Sequence, residues 1–171
     1  MSSNYAYLDD IYIDSMTTDV DALPPAYGFM PSYAESNGDH LDFTPLAGAL
    51  QNAAMVDDGA VDDGDTTYNF KNSSGGAPKD SLETDDITLP TSYVISAVIP
   101  WAICRKLNAA DDAQITLTAY DGGTLKAGTA QTVPLTYGYR RDRFTTQPDG
   151  STWNETDFNN MQFGYRADGS F

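Results

Sequence analysis

Apolar and polar side chains alternate most clearly in the second half of the chain, over residues 114–120 with the sequence QITLTAY. Ile115, Leu117 and Ala119 share one side of this segment, which has the two-residue period of a half-buried strand. Residues 121–123, Asp-Gly-Gly, follow directly and are typical of a tight hairpin turn. The pattern therefore predicts an antiparallel strand pair at this position.

The longest apolar stretch covers residues 93–106 and predicts a central core strand. Pro100 interrupts this stretch, and because proline has no backbone N–H we expect a bulge or an open point in the ladder there. Further strands are predicted over residues 131–135 and 137–145. Short strands with turn residues between them are typical of a sandwich or a jelly roll.

The closing part of the chain combines a turn and a helix. Residues 148–150, Pro-Asp-Gly, have the composition of a tight turn. A short helix is predicted near residues 154–160, with Ser151 or Thr152 as its N-cap. Glu155 follows Thr152 at the spacing of a capping box.

A final strand is predicted from the alternating apolar positions Met161, Phe163 and Tyr165. Trp153 and Phe158 fall near one face of the preceding short helix. Trp153 is therefore predicted to be a core residue that pins the helix to the sheet. This helical unit cannot bury its own apolar face, so the rest of the chain must supply the opposite surface.

The first half of the chain is less regular. Residues 5–14, YAYLDDIYID, predict a first strand, whereas residues 16–41 contain many turn-forming residues and predict an irregular segment. Residues 41–50 predict an extended edge, because Pro45 cannot donate to a central ladder.

The expected fold class is all-β: an antiparallel β-sandwich or jelly roll with one short helix and an irregular, partly extended N-terminal segment. We expect residues 1–50 to form an acidic arm or edge segment and residues 51–171 to form the sandwich. The alternative is one continuous domain that includes the first strand of the arm.

The chain of 171 residues carries 25 acidic and 9 basic side chains, a formal net charge of −16. Residues 1–86 hold 17 acidic and 2 basic residues, whereas residues 87–171 hold 8 and 7. Nucleic acids and anionic lipid surfaces are themselves negative, so we expect neither nucleic acid nor a membrane as a direct partner. The acidic half is either solvated surface or the complement of a basic surface on another protein.

Candidate chemistry is sparse in this sequence. The single cysteine, Cys104, and the single histidine, His40, exclude an internal disulfide and a zinc site of thiolate and imidazole ligands. Cys104 is interpreted as an inert buried thiol, and His40 as an exposed loop histidine. The aspartates of residues 57–65 lack the register of an EF-hand and are interpreted as a solvated loop. We therefore expect no catalytic centre, no cofactor and no metal, and the protein is predicted not to be an enzyme.

Aromatic residues are enriched at protein–protein contacts, and several lie in the irregular first segment. Trp101 lies inside the apolar stretch and is predicted, like Trp153, to be a core residue. The predicted partner interface joins the aromatic residues of the first segment to three basic positions of the second half. Its members are Tyr5, Tyr7, Tyr12, Tyr27, Phe29, Tyr33, Arg140, Arg141 and Arg143.

Four segments of the chain together resemble the small β-sandwich structural proteins of tailed bacteriophages. These segments are DDGDTTY at residues 62–68, the apolar stretch at residues 93–106, ITLTAYDGGTLKAGTA at residues 115–130 and TTQPDGSTWNETDFNNMQFGY at residues 145–165. In the last of them Asn154 replaces the threonine that commonly follows the tryptophan in that family. The resemblance spans residues 56–171. It implies a virion structural protein and transfers no active-site residues.

The function that this resemblance implies is a decoration or cement protein that stabilises the capsid shell through protein–protein contacts. Its expected partners are the major capsid protein or neighbouring copies of itself in a homo-oligomer, and its expected location is the outer capsid surface of the virion. The alternative is a tail or fibre component, or a carbohydrate-binding module for host-surface recognition. Buried tryptophans favour the scaffold, whereas coplanar exposed aromatic rings in a groove favour sugar binding.

Overall fold

A computed structural model describes residues 30, 32–46, 52–56, 68–71, 76–91 and 93–169. The strands in these ranges are β1 (Ala34–Leu41), β2 (Thr44–Pro45), β3 (Asn69–Phe70), β4 (Lys79–Thr84), β5 (Trp101–Cys104), β6 (Gln114–Asp121), β7 (Thr124–Ala127), β8 (Gln131–Thr132), β9 (Gly138–Arg141) and β10 (Gln162–Asp168). The helical elements are α1 (Glu155–Asn159) and a 3-10 turn at Ala53–Met55. Every strand pair is antiparallel, which confirms the predicted all-β fold with one short α-helix.

The main sheet has six strands in the order β1-β4-β10-β6-β7, with β8 also paired to β6. The alternating segment predicted at residues 114–120 is β6, and the predicted hairpin joins it to β7. At the centre of β10, a Cβ on Gly164 would lie 2.0 Å from the carbonyl oxygen of Asp80 in β4. Only glycine allows β10 and β4 to approach this closely.

Two smaller sheets contain two strands each, β2 with β3 and β5 with β9. The predicted central strand over residues 93–106 is wrong in length and position, because β5 covers four residues and belongs to a two-stranded sheet. The register of β5 and β9 is continued beyond Pro100 by an isolated bridge between Val98 and Phe144. Pro100 therefore marks an open point in the ladder, as predicted.

The predicted irregular segment is wrong for residues 34–41, which form β1 and pair with β4. Residues 79–84 of β4 were not predicted as a strand, because their sequence KDSLET has no apolar alternation. Of the extended edge predicted over residues 41–50, Thr44 and Pro45 form β2, which pairs with β3, whereas Leu41 ends β1 and residues 47–50 lie outside the described residues. The predicted first strand at residues 5–14 lies outside the described residues.

The core consists of two apolar clusters. The larger one is formed by Ile87, Ala119, Phe144, Trp153, Phe158, Met161 and Phe163. The smaller one is formed by Ala113, Ile115 and Val133, with Ala102, Cys104 and Tyr165 packed against it. Trp153 is 4% exposed, and its indole N–H donates to the Phe144 carbonyl oxygen at 2.8 Å, which confirms its predicted role in the core. The sandwich or jelly-roll arrangement stays a prediction.

The N-cap of α1 differs from the predicted one. Asn154 has an extended backbone, and its side-chain oxygen accepts the backbone N–H three residues further along at 2.9 Å. Ser151 and Thr152 therefore lie too far upstream to cap the helix. The predicted capping box is also wrong, because the carboxylate of Glu155 instead accepts the backbone N–H of Leu89 at 2.7 Å. This contact ties α1 to the segment that precedes β5.

Candidate protein-binding face

The ladder of β5 and β9 has one side that faces away from the main sheet. In its register Trp101 lies opposite Arg141, and Ile103 lies opposite Tyr139. Directly opposed residues of an antiparallel pair project to the same side. We call this outward side, extended in the same register, the aromatic–arginine face. Its positions are Ile99, Trp101, Ile103, Arg105, Tyr137, Tyr139, Arg141 and Arg143.

Large apolar side chains of this face are in contact with solvent. Tyr139 is 68% exposed, Ile99 45% and Trp101 44%. The rings of Trp101 and Tyr139 lie diagonally across the ladder, with centroids 5.8 Å apart and planes inclined by 44°. At one end of the face, the guanidinium carbon of Arg105 lies 5.0 Å from the centre of the Tyr137 ring, which is a cation–π contact. The face therefore holds two aromatic contacts along the ladder, one between Trp101 and Tyr139 and one between Arg105 and Tyr137.

The charge of the aromatic–arginine face is opposite to that of the whole chain. Its eight positions include Arg105, Arg141 and Arg143 and no acidic residue, although the chain carries 25 acidic and 9 basic side chains. Within the described ranges, the guanidinium groups of Arg141 and Arg143 have neither a hydrogen-bond nor an ion-pair partner. These two groups can therefore bind carboxylates on a partner.

The opposite side of the ladder anchors this face to the core. Ala102 and Cys104 of β5 pack against the smaller apolar cluster. Burial raises the pKa of the Cys104 thiol above its ordinary value, against a smaller lowering effect of Arg140. The thiol is therefore protonated at neutral pH and acts as an apolar packing group, since the thiolate is the reactive form. Because the inner side of the ladder is packed against the core, the side chains of the outer face are held in position before any partner binds.

The predicted interface residues are distributed differently by the structure. Arg141 and Arg143 belong to the aromatic–arginine face, whereas Arg140 projects to the inner side. The guanidinium of Arg140 donates to the Thr132 carbonyl oxygen at 2.6 and 2.8 Å and so links β9 to β8. Tyr33 is half-buried beside β1, where its carbonyl oxygen accepts the backbone N–H of Asp85 at 2.9 Å. The remaining five, Tyr5, Tyr7, Tyr12, Tyr27 and Phe29, lie outside the described residues.

Two residues of the face were missed by the sequence analysis. The prediction that Trp101 is a core residue is wrong, because apolar neighbours on both sides of it masked the alternation. Tyr139 was not considered at all. The signal that identifies Tyr139 is the two-residue period from Tyr137 to Arg143, in which every second side chain is tyrosine or arginine. Trp101 is assigned to the face only by the register of β5 with β9.

A second polar cluster surrounds the buried carboxylate of Asp80, which is 1% exposed. Its Oδ1 accepts the backbone N–H of Phe43 at 2.9 Å. Its Oδ2 accepts from the Asn52 amide at 2.7 Å and from the Tyr165 hydroxyl at 3.1 Å. The Asn69 amide in turn donates to the Tyr165 oxygen at 2.9 Å. The carboxylate therefore joins β3, β4, β10 and the 3-10 turn.

The chemistry of this cluster is structural. Burial, and next the Asp80 carboxylate, raise the pKa of the Tyr165 phenol well above its ordinary value. The phenol therefore stays protonated and remains a hydrogen-bond donor to Asp80. A carboxylate that is enclosed and bonded by three donors is held in place rather than presented to a substrate.

The other candidate sites give no evidence of a catalytic or metal centre among the described residues. His40 was predicted to lie in an exposed loop, which is wrong: it belongs to β1, and its half-buried ring packs edge-on against Tyr120 with centroids 4.8 Å apart. Among the described residues, no group of three or more histidine, cysteine, aspartate or glutamate side chains is arranged to hold a metal ion. The aspartates of residues 57–65 lie outside those residues. In the described part of the chain, no helix has the length and apolar character needed to cross a membrane.

Comparison of the chain with protein-family models, curated proteins and solved structures found no match.

Proposed function

We propose that this protein is a non-enzymatic structural component of a tailed-phage particle, a decoration or cement protein of the outer capsid. It binds the major capsid protein or neighbouring copies of itself through the aromatic–arginine face. Binding to a protein is supported by the exposed grouping of Trp101, Tyr139 and Arg141 on one ladder, and the virion part of the proposal rests on the sequence resemblance of residues 56–171. Tryptophan, tyrosine and arginine are the residues most enriched at the energetic centres of protein interfaces.

The face has enough apolar surface to contribute to binding. Given their exposed fractions, Trp101 and Tyr139 can together lose on the order of 200 Å² of surface to a partner, since each such ring buries about 150–250 Å² when fully covered. At about 25 cal/mol per Å² this is worth roughly 5 kcal/mol before the costs of association. On a repeated lattice, contacts of this size reinforce one another because each subunit is held at several points.

The proposal is tested by combining Trp101→Ala with Tyr139→Ala and measuring retention of the protein on purified phage particles. Loss of two interface aromatics should weaken binding by at least about thirtyfold, from the roughly 2 kcal/mol typical of one such residue. The control combines Val94→Ala with Leu107→Ala, two residues that are 79% and 82% exposed outside the face. Equal retention of both variants contradicts the proposal, as does absence of the protein from particles.

A carbohydrate-binding tail component is the second candidate, because Trp101 and Tyr139 are exposed neighbours. Their planes are inclined by 44° rather than coplanar, which is a poorer platform for stacking on a sugar ring. Binding of the chain to a glycan array, with loss of the signal in Trp101→Ala, would favour this candidate. A blank array together with retention on capsids lacking tails favours the decoration protein.

A further inference from the structure

The aromatic–arginine face sets two requirements for whatever covers it. Its exposed rings require apolar side chains, and the guanidinium groups of Arg141 and Arg143, which have no partner among the described residues, require carboxylates. A surface that is only acidic does not satisfy both. The cleft of about 220 Å³ lined by Glu35, Glu83 and Asp86, for example, has polar neighbours and offers no aromatic contact.

One segment of this chain meets both requirements. Residues 5–14, YAYLDDIYID, contain three tyrosines, two isoleucines and a leucine together with three aspartates, and no basic residue. The acidic stretches at residues 57–65 and 80–86 lack aromatic side chains. Electrostatic complementarity of this kind selects partners and fixes their register.

The lengths of the two surfaces are also compatible. The face extends over residues 99–105 of one strand, which is about 20 Å at roughly 3.3 Å per residue. Any ten-residue segment has a maximum reach of about 30 Å on the same basis, so ten residues are enough to follow the whole face.

We infer that the aromatic–arginine face binds residues 5–14 of a second copy of this chain. The inference rests on the proposed function, in which copies are linked to one another or to the shell, and it names the partner of that face. The aspartates of the segment supply carboxylates for Arg141 and Arg143, and its tyrosines, isoleucines and leucine supply apolar surface for Trp101 and Tyr139.

The experiment is a charge-reversal exchange between two full-length variants, followed by sedimentation velocity and light scattering. The first variant combines Asp9→Arg with Asp10→Arg, and the second combines Arg141→Glu with Arg143→Glu. Each variant alone places like charges on segment and face and should weaken self-association by about tenfold or more. An equimolar mixture restores opposite charges at both contacts and should return association to within about threefold of the wild type.

The matched control combines Asp19→Arg with Asp21→Arg, which makes the same charge change in the same part of the sequence but outside residues 5–14. It should leave self-association within about twofold of the wild type, because only a general charge effect would act through these positions. Circular dichroism of each variant checks that the fold is unchanged.

Three results overturn the inference. A mixture that stays dissociated excludes contact between copies, and a control that weakens association as strongly excludes a specific role of the segment. A wild-type chain that remains monomeric at its highest soluble concentration also excludes it. If particle retention is lost in the Trp101 and Tyr139 variant while Asp9→Arg with Asp10→Arg has no effect, the face is an interface with another partner and the proposed function stands.

Discussion

Replacement of Trp153 by alanine should lower the free energy of unfolding by about 3–5 kcal/mol, the range observed when a buried large aromatic is removed. The indole is 4% exposed and lies 6.1 Å from the Phe163 ring, centroid to centroid, within the larger apolar cluster. Its burial of about 150–250 Å² alone corresponds to roughly 4–6 kcal/mol at 25 cal/mol per Å². These two values agree, so the loss of ring contacts accounts for the effect.

The lost hydrogen bond of Trp153 adds little to this figure. The Phe144 carbonyl oxygen that accepts the indole N–H also accepts the backbone N–H of Val98 at 2.9 Å. Removal of the indole therefore leaves no buried acceptor without a partner, and the penalty of about 1–3 kcal/mol for such an orphan does not apply.

The chain contains two tryptophans, and the second provides a matched control. Trp101 is 44% exposed on the aromatic–arginine face, so Trp101→Ala should cost less than about 1 kcal/mol of stability. Urea unfolding monitored by circular dichroism measures both variants on the same scale. Equal destabilisation of the two variants, or an unchanged midpoint for Trp153→Ala, would refute the reasoning that separates core from face.

Three further changes test local features of the fold. Tyr165→Phe should lower the free energy of unfolding by about 1–3 kcal/mol at neutral pH. Because the folded pKa of Tyr165 is raised above 10.0, its contribution to stability should be complete below that pH and should be lost as the pH rises further. Urea unfolding at several pH values should therefore show a steeper loss of stability in the wild type than in the variant. Asn154→Ala should lower stability by about 1 kcal/mol through loss of the N-cap, with Thr152→Ala near zero in thermal melts. Gly164→Ala should cost more than about 3 kcal/mol, because its Cβ meets a backbone oxygen at 2.0 Å, whereas Gly123→Ala meets nothing within 4 Å and should be tolerated in the same denaturation assay.

The parts of the fold that could be predicted from the sequence are those in which local pattern and tertiary environment agree. The apolar alternation of β6 correctly predicted a strand, although Thr116 and Thr118 on its other side are buried as well. The turn at Gly150 has the positive φ of 90° that its glycine indicates. Trp153 was placed correctly because it directly precedes a short helix that needs an apolar contact with the sheet. At these positions the local preference of the residue and its surroundings in the fold favour the same structure.

The parts that could not be predicted are those in which partners distant in sequence supply the environment. β4 contains Asp80 and Ser81 at buried positions, and their burial is compensated by hydrogen bonds to Asn52, Tyr165 and Gln162. No local pattern indicates such partners. The apolar stretch around β5 was predicted to be central because its composition suits a strand buried on both sides, but one side of it is covered and the other exposed.

The candidate face was predicted only in part, for a related reason. Arg141 and Arg143 were singled out by charge, but the side of the ladder on which each arginine lies depends on register with β5. A shift by one residue would exchange Arg140 with Arg141. The register, and with it the grouping of Trp101 with Tyr139, is fixed by pairing across more than thirty residues of sequence.

The most direct test of the central claim is oxidative footprinting of Trp101 and Tyr139 in the free chain and in assembled particles, read out by mass spectrometry. Both side chains are exposed in the free chain, so their oxidation rates should fall several-fold on assembly if this face is the interface. Leu107, which is 82% exposed outside the face, provides the internal reference and should keep its rate. Unchanged oxidation of Trp101 and Tyr139 in particles that contain the protein would contradict the assignment of this face as its binding surface.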